Sequence, residues 1–194
     1  MEPPRALDRW LEAVVATPGL TSLDLAAARV TLLEDALIAL ELVAGYEGPI
    51  VDVGSGNGSP GLPLAYCLPQ REVVLLEAQR RRCEFLRAWA PPNARVVWGR
   101  AEEQATDWAG VALAKALAPP TVAAEWCLPL VRSGGVAILW VGKSAERDQL
   151  AAAAGRLAAE AIEGPAGVAV FRKTGRTPPG FPRRPGIARR RPLV

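Results

Sequence analysis

Residues 52–59, Asp52-Val53-Gly54-Ser55-Gly56-Asn57-Gly58-Ser59, constrain the fold more than any other stretch of the chain. They leave one apolar run, residues 50–53, and enter another, residues 60–67. A strand that turns into a helix through glycines brings bare backbone up to whatever lies beyond the strand end, where side chains would push a ligand away. Gly56, Gly58 and Gly61 satisfy G-x-G-x-x-G in that context. In sheets built from alternating strands and helices, ligands sit beyond the carboxyl ends of the strands, at the switch point of strand order. The loop therefore predicts an α/β fold with a ligand at this place.

The remaining pattern agrees. After Gly48, short β-rich runs alternate with helical ones: strands over 50–53, 73–77, 94–98, 111–114, 135–141 and 168–172, the last paired with 161–162. Helices are expected over 60–67, 79–89, near 121–128, and over 144–159. Such alternation with short connections gives a mostly parallel sheet covered on both faces. Upstream, residues 5–15 carry apolar side chains at helical spacing, and Asp24 caps a second helix running through Val43 to Gly45. The expected organisation is N-terminal helices (1–48) packed on the main domain (49–173), followed by a Pro-, Gly- and Arg-rich tail (174–194) without regular structure. A chain of 194 residues is one domain's worth. No apolar run approaches the ~20 residues of a membrane span, and the start of the chain is charged and amphipathic. A cytoplasmic protein without membrane contact is expected, and no obvious oligomerisation seam argues against a monomer.

The chain has no histidine, which removes Ser-His triads and His-ligated metals. Cys67, Cys83 and Cys127 are widely spaced and fit neither a disulfide framework nor a zinc site. They are expected as small buried hydrophobes in a reducing compartment, and no metal is expected. Glu77 ends the second strand, 23 residues after Gly54, where a carboxylate can accept both hydroxyls of a ribose. That spacing alone also suits a nicotinamide dinucleotide, or a glycine turn with no ligand. Three features favour S-adenosylmethionine. Asp52 precedes the glycines, where an anion would repel a pyrophosphate but suits amino and sulfonium groups. The chain is too short for the usual second domain of a dehydrogenase. Asp-x-Gly-x-Gly-x-Gly with a downstream strand-end acid is the usual methyltransferase arrangement. On this reading Asp52, Gly54, Gly56, Gly58 and Glu77 serve the cofactor.

Further segments carry a resemblance. Pro60-Gly61-Leu62-Pro63-Leu64-Ala65 follows the glycine loop. Leu76-Glu77-Ala78, Arg81-Arg82-Cys83-Glu84-Phe85-Leu86, Gly99-Arg100-Ala101-Glu102-Glu103 and Ala116-Leu117-Ala118-Pro119 come next, and Phe181-Pro182-Arg183-Arg184-Pro185-Gly186 closes the series. With these segments the chain resembles the bacterial small-subunit ribosomal RNA guanine-N7 methyltransferases, the glucose-inhibited division protein B family, from about Leu20 onward. The resemblance implies a class I S-adenosylmethionine-dependent methyltransferase fold with a seven-stranded sheet. It implies S-adenosylmethionine as donor, a guanine N7 of 16S ribosomal RNA as acceptor, and 16S ribosomal RNA or the small ribosomal subunit as partner. By position it places Gly54, Ser59, Ala101, Glu102 and Lys115 along the cofactor site. Departures are also visible. Of the family's His-Phe-x-Asp-Ser motif only Asp35 remains, Lys115 replaces an arginine, and Val141-Gly142 replaces a Lys-Gly pair, with Lys143 displaced by two residues. Lys115 and Lys143 are the candidates for contact with the reacting groups.

The implied chemistry suits these residues. Guanine N7 is a free lone pair, so no general base is needed and alignment can carry catalysis. Exocyclic-amine methylation usually comes with Asn/Asp-Pro-Pro-aromatic, whereas the segment here is Lys115-Ala116-Leu117-Ala118-Pro119-Pro120. Cytosine C5 methylation needs an activated cysteine, and Cys127 sits mid-helix. From Arg172 onward there are eight Arg/Lys and no acids, so the first 171 residues carry 15 basic against 20 acidic groups, a net −5. A basic tail on an acidic body suits nucleic acid. Arg183, Arg184, Arg189, Arg190 and Arg191 are the candidate phosphate contacts, with Arg80-Arg81-Arg82 a second basic element. Loss of residues 174–194 is expected to weaken RNA binding and spare the cofactor. Two alternatives stay open: a methyltransferase with another acceptor, and a non-catalytic relative that binds ribosomal RNA or assembly intermediates.

Overall fold

The computed structural model describes residues 5–142 and 146–194. Seven strands form one sheet: β1 (Ile50–Val53), β2 (Val73–Glu77), β3 (Ala94–Trp98), β4 (Ala109–Lys115), β5 (Val131–Trp140), β6 (Ala159–Ile162) and β7 (Val168–Lys173). Their order is β3-β2-β1-β4-β5-β7-β6. The first five run parallel, and β7 inserts antiparallel between β5 and β6. The central strands are buried end to end, as a sheet covered on both faces requires.

Alternate side chains serve opposite faces. On one face Val51, Val53, Val74, Leu76, Ala112 and Ala114 pack with α7 (Pro120–Cys127), α8 (Arg147–Gly155) and the C-terminal α9 (Ile187–Arg190). On the other, Ile50, Val73, Leu75, Val111 and Leu113 pack with α1 (Arg5–Ala16), α5 (Gly61–Cys67) and α6 (Arg80–Trp89). The buried face of α1 is Leu7, Trp10, Leu11 and Val14, the expected helical spacing. Its Trp10 indole N–H donates to Asn57 O at 2.9 Å, so the N-terminal helix grips the glycine loop.

The helix expected over 144–159 ends at Gly155, and Ala159 opens β6; two larger expectations also change. The helix read through residues 24–43 is broken into α2 (Leu25–Ala28), a π segment (Arg29–Glu34), α3 (Asp35–Leu37) and α4 (Leu40–Ala44). Apolar spacing does not distinguish a 3.6-residue turn from a wider one, and Asp24 does cap α2, accepting from Ala27 N–H at 2.8 Å. The segment after Lys173, expected as a tail without regular structure, is docked and forms a short helix. Ala188 and Leu193 are buried, Phe181 packs against the core, and α9 forms behind Gly186. Its root is fixed by Lys173, 1% exposed, whose ammonium donates to Leu128 O and Thr177 Oγ1, both at 2.8 Å, and faces Asp107 at 3.5 Å.

Candidate functional site

Strand order reverses between β1 and β4, and there the strand ends open onto a cleft of about 380 Å³. Val53, Gly54, Leu76 and Glu77 form its floor, and Gly99, Arg100, Ala101 and Glu102 its wall beyond β3. Ala116 and Leu117 line it beyond β4, and Trp126, Gly186 and Arg189 close the remaining side. A volume of this order suits a small organic ligand.

The backbone requires Gly54. Its φ is +70°, and a Cβ there would lie 2.2 Å from Leu117 Cδ1. Glu77, 4% exposed, holds the loop from the neighbouring strand. Its carboxylate accepts from Gly56 N–H at 2.8 Å and from Gln79 N–H at 2.7 Å. Each oxygen retains a lone pair for a ligand hydroxyl. Across the cleft, Ala116 has φ +50°, a left-handed conformation costly for alanine. Stored strain of this kind concentrates at functional turns.

Asp52 lies behind the loop. It shares the face of Ile50 and accepts from Gly61 N–H at 3.2 Å, tying β1 to α5. A Cβ on Gly61 would stand 2.6 Å from that carboxylate, so only glycine fits. Burial pushes the Asp52 carboxyl up to about 7, against the pull of the Gly61 hydrogen bond and of Lys115. The folded chain thus holds a proton that the unfolded chain gives up near its ordinary 3.8. The stability it brings is complete below that value and is lost as pH rises to about 7. Asp52→Asn is expected to remove this dependence, melting higher relative to the parent at pH 8 than at pH 4; a constant difference across that window would count against it.

Comparison with known proteins bears on what the cleft serves. Residues 11–165 match the model of the GidB family, described as rRNA small subunit methyltransferase G. Ribosomal RNA small subunit methyltransferase G of Synechococcus elongatus is 34% identical over 176 residues, covering 78% of this chain and 72% of that protein. The protein of that name from Pelotomaculum thermopropionicum is 35% identical over 182 residues, covering 82% and 76%. This chain belongs to the GidB family. Solved structures agree on the fold. A TehB-like SAM-dependent methyltransferase from Corynebacterium glutamicum aligns with a TM-score of 0.57 at 21% identity, over 77% of this chain and 92% of that one. A 16S rRNA N2 methyltransferase from T. thermophilus, solved with AdoMet and guanosine, aligns with a TM-score of 0.57 at 18% identity, over 74% and 40%. The sheet is that of class I S-adenosylmethionine-dependent methyltransferases.

In this GidB-family chain the expected site residues divide. Gly54, Glu77, Ala101 and Glu102 line the cleft, and Gly56 is bound to Glu77 at its edge. Asp52, Gly58 and Ser59 are buried and do not line the cleft, and the Ser59 hydroxyl has no hydrogen-bond partner. Lys115 turns away, because the N-terminal helices offer it a partner: Nζ lies 2.5 Å from Asp35 Oδ2 and also donates to Thr31 O. Asp35, the family residue kept here, thus meets the lysine that replaces the family arginine. Lys143 lies outside the described residues. Arg183 is bound to Glu125, whereas Arg184, Arg190 and Arg191 are exposed. Arg82, Arg100, Trp126, Gly186 and Arg189 were not expected in the cleft. Arg82 and Arg100 had a readable signal, since each follows closely on a strand that ends there. Trp126 and the two C-terminal residues had none nearby in sequence.

Proposed function

We propose that this chain transfers a methyl group from S-adenosylmethionine to N7 of a guanine in 16S ribosomal RNA. The observation that carries this reading is the cleft at the β1/β4 switch point, floored by Gly54 and Glu77, in a member of the rRNA small subunit methyltransferase G family. The donor set fits the cofactor. The lone pairs left on Glu77 would take the ribose hydroxyls, Ala101 and Glu102 would meet the adenine, and the bare backbone at Gly54 and Gly56 admits the methionyl part. S-adenosylmethionine supplies a methyl group on a cationic sulfur. The chain contributes position, holding the cofactor still while a lone pair approaches in line. Guanine N7 has no proton to remove, which agrees with a site containing no histidine. Burial pushes the Cys127 thiol up and its Sγ faces Leu113 O, so it is no nucleophile.

Charge supports the acceptor. The first turn of α6 carries Arg80, Arg81 and Arg82. Cations at a helix N-terminus oppose the helix dipole, by about 0.3–1 kcal/mol each. An anionic partner at this rim would relieve that opposition. Arg189 lines the cleft, and Arg184, Arg190 and Arg191 of the same C-terminal segment are exposed; phosphate contacts by such side chains give salt-dependent affinity. A monomer acting in the cytoplasm on the small ribosomal subunit completes the reading. Among the described residues no helix is long and apolar enough to cross a membrane.

The test is methyl transfer from labelled S-adenosylmethionine to naked 16S ribosomal RNA and to small subunits, both from cells lacking the modification. Nuclease digestion and mass spectrometry should find the label in N7-methylguanosine. Label on another atom, or no transfer by chain that binds the cofactor, would overturn the proposal.

A further inference from the structure

We propose that the C-terminal segment, residues 177–193, is a wall of the cofactor site, latched by the Arg183–Glu125 ion pair, and that its docking and cofactor binding reinforce each other. This rests on reading the cleft as the S-adenosylmethionine site. The segment lies beyond the residues that the family model matches.

The latch is a two-point pair. Arg183 Nε and Nη2 donate to Glu125 Oε1 and Oε2, each at 2.5 Å. Glu125 is 2% exposed, so its carboxylate has given up water and depends on this partner. The same guanidinium donates to Arg191 O at 2.8 Å, so one side chain holds the segment on both sides of α9. The ends are fixed as well. Thr177 N–H and Oγ1 donate to Asp107 Oδ1 at 3.0 and 2.8 Å, and Arg156 donates to Leu193 O at 2.6 Å.

Between these anchors the segment meets the cleft. Gly186 N–H donates to Glu102 Oε1 at 3.3 Å. The Arg189 guanidinium stands 5.2 Å from the Trp126 ring centroid and donates to Leu117 O at 3.4 Å. Glu102, Trp126 and Leu117 come from three different walls. A ligand that fixes Glu102 therefore also fixes Gly186, and by linkage the docked segment favours the ligand to the same degree. Arg183 is a positioning residue and Arg189 a residue of the cofactor site. The expectation that loss of this segment would spare the cofactor is reversed.

Hydrogen exchange and calorimetry on the full chain test this, with S-adenosylhomocysteine as the probe. Saturation is expected to slow the amides of residues 181–191 about tenfold or more. Arg183→Ala and Arg189→Ala should each weaken the probe about tenfold, and Arg183→Ala should raise KM for S-adenosylmethionine with kcat at saturation retained. A purely structural role would lower melting temperature and leave affinity alone. Unchanged exchange in chain that binds the probe, or wild-type affinity in both variants, would overturn the proposal. If Arg183→Ala fails to fold, the exchange result and Arg189→Ala still decide. A parent chain that binds no probe would instead sink the cofactor reading, and this inference with it.

Discussion

Gly54→Asp is expected to abolish measurable S-adenosylmethionine binding while the chain still melts in one cooperative step. A Cβ at this position would stand 2.2 Å from Leu117 Cδ1, closer than two carbon atoms can approach. Leu117 lines the cleft, so moving it aside alters the wall against which a ligand packs. The φ of +70° adds a conformational cost, smaller for Asp than for most residues. The loop cannot easily retreat, because Gly54 N–H is bound to Leu76 O at 2.7 Å. A loss of at least about 100-fold, close to 3 kcal/mol, should follow. Calorimetry reads the affinity and circular dichroism the melt. Parent-like binding by a folded Gly54→Asp chain would put the site elsewhere.

Glu77→Ala should cost both affinity and stability. The carboxylate is the acceptor for Gly56 and Gln79 N–H groups in a nearly dry position. Leaving two such donors unpaired costs about 1–3 kcal/mol each where water cannot reach them. On the proposed role the acceptor for the ribose hydroxyls is lost as well, so cofactor affinity should fall about 100-fold. Glu77→Gln keeps one acceptor oxygen but turns an NH₂ toward one of the two amides, and should fall between the parent and alanine. The order parent, Gln, Ala, measured for S-adenosylhomocysteine, is the discriminating result. Equal affinities would remove Glu77 from the site.

The sheet was largely readable because its strands are short apolar runs whose period and boundaries are local properties. β1, β2 and β3 lie where their residues predict. β4 covers Ala109–Lys115, wider than the expected 111–114, and β5 covers Val131–Trp140 where 135–141 is expected, because pairing across a register shift carries Val131–Gly134 into the strand. The glycine loop and Glu77 were readable for the same reason: their roles depend on neighbours within one strand-helix unit. Lys115 and Arg183 were not. Asp35 lies 80 positions from Lys115, and Glu125 lies 58 from Arg183. Arginines among prolines look solvated until a buried carboxylate on another element is placed beside them. Folding turns Lys115 and Arg183, which the sequence alone suggests as ligand contacts, toward partners within the chain.

The Trp10 indole reaches Asn57 O, and Asp35 reaches Lys115, so the glycine loop and the end of β4 are each held by residues that precede the sheet. The loop and the strand end beside the cleft thus depend on the N-terminal helices for part of their support. Fraying of the N-terminal helices withdraws support from the loop and from the cleft's edge at the same moment. A substitution that loosens residues 5–44 is therefore expected to be felt at the glycine loop as well as in the helices themselves.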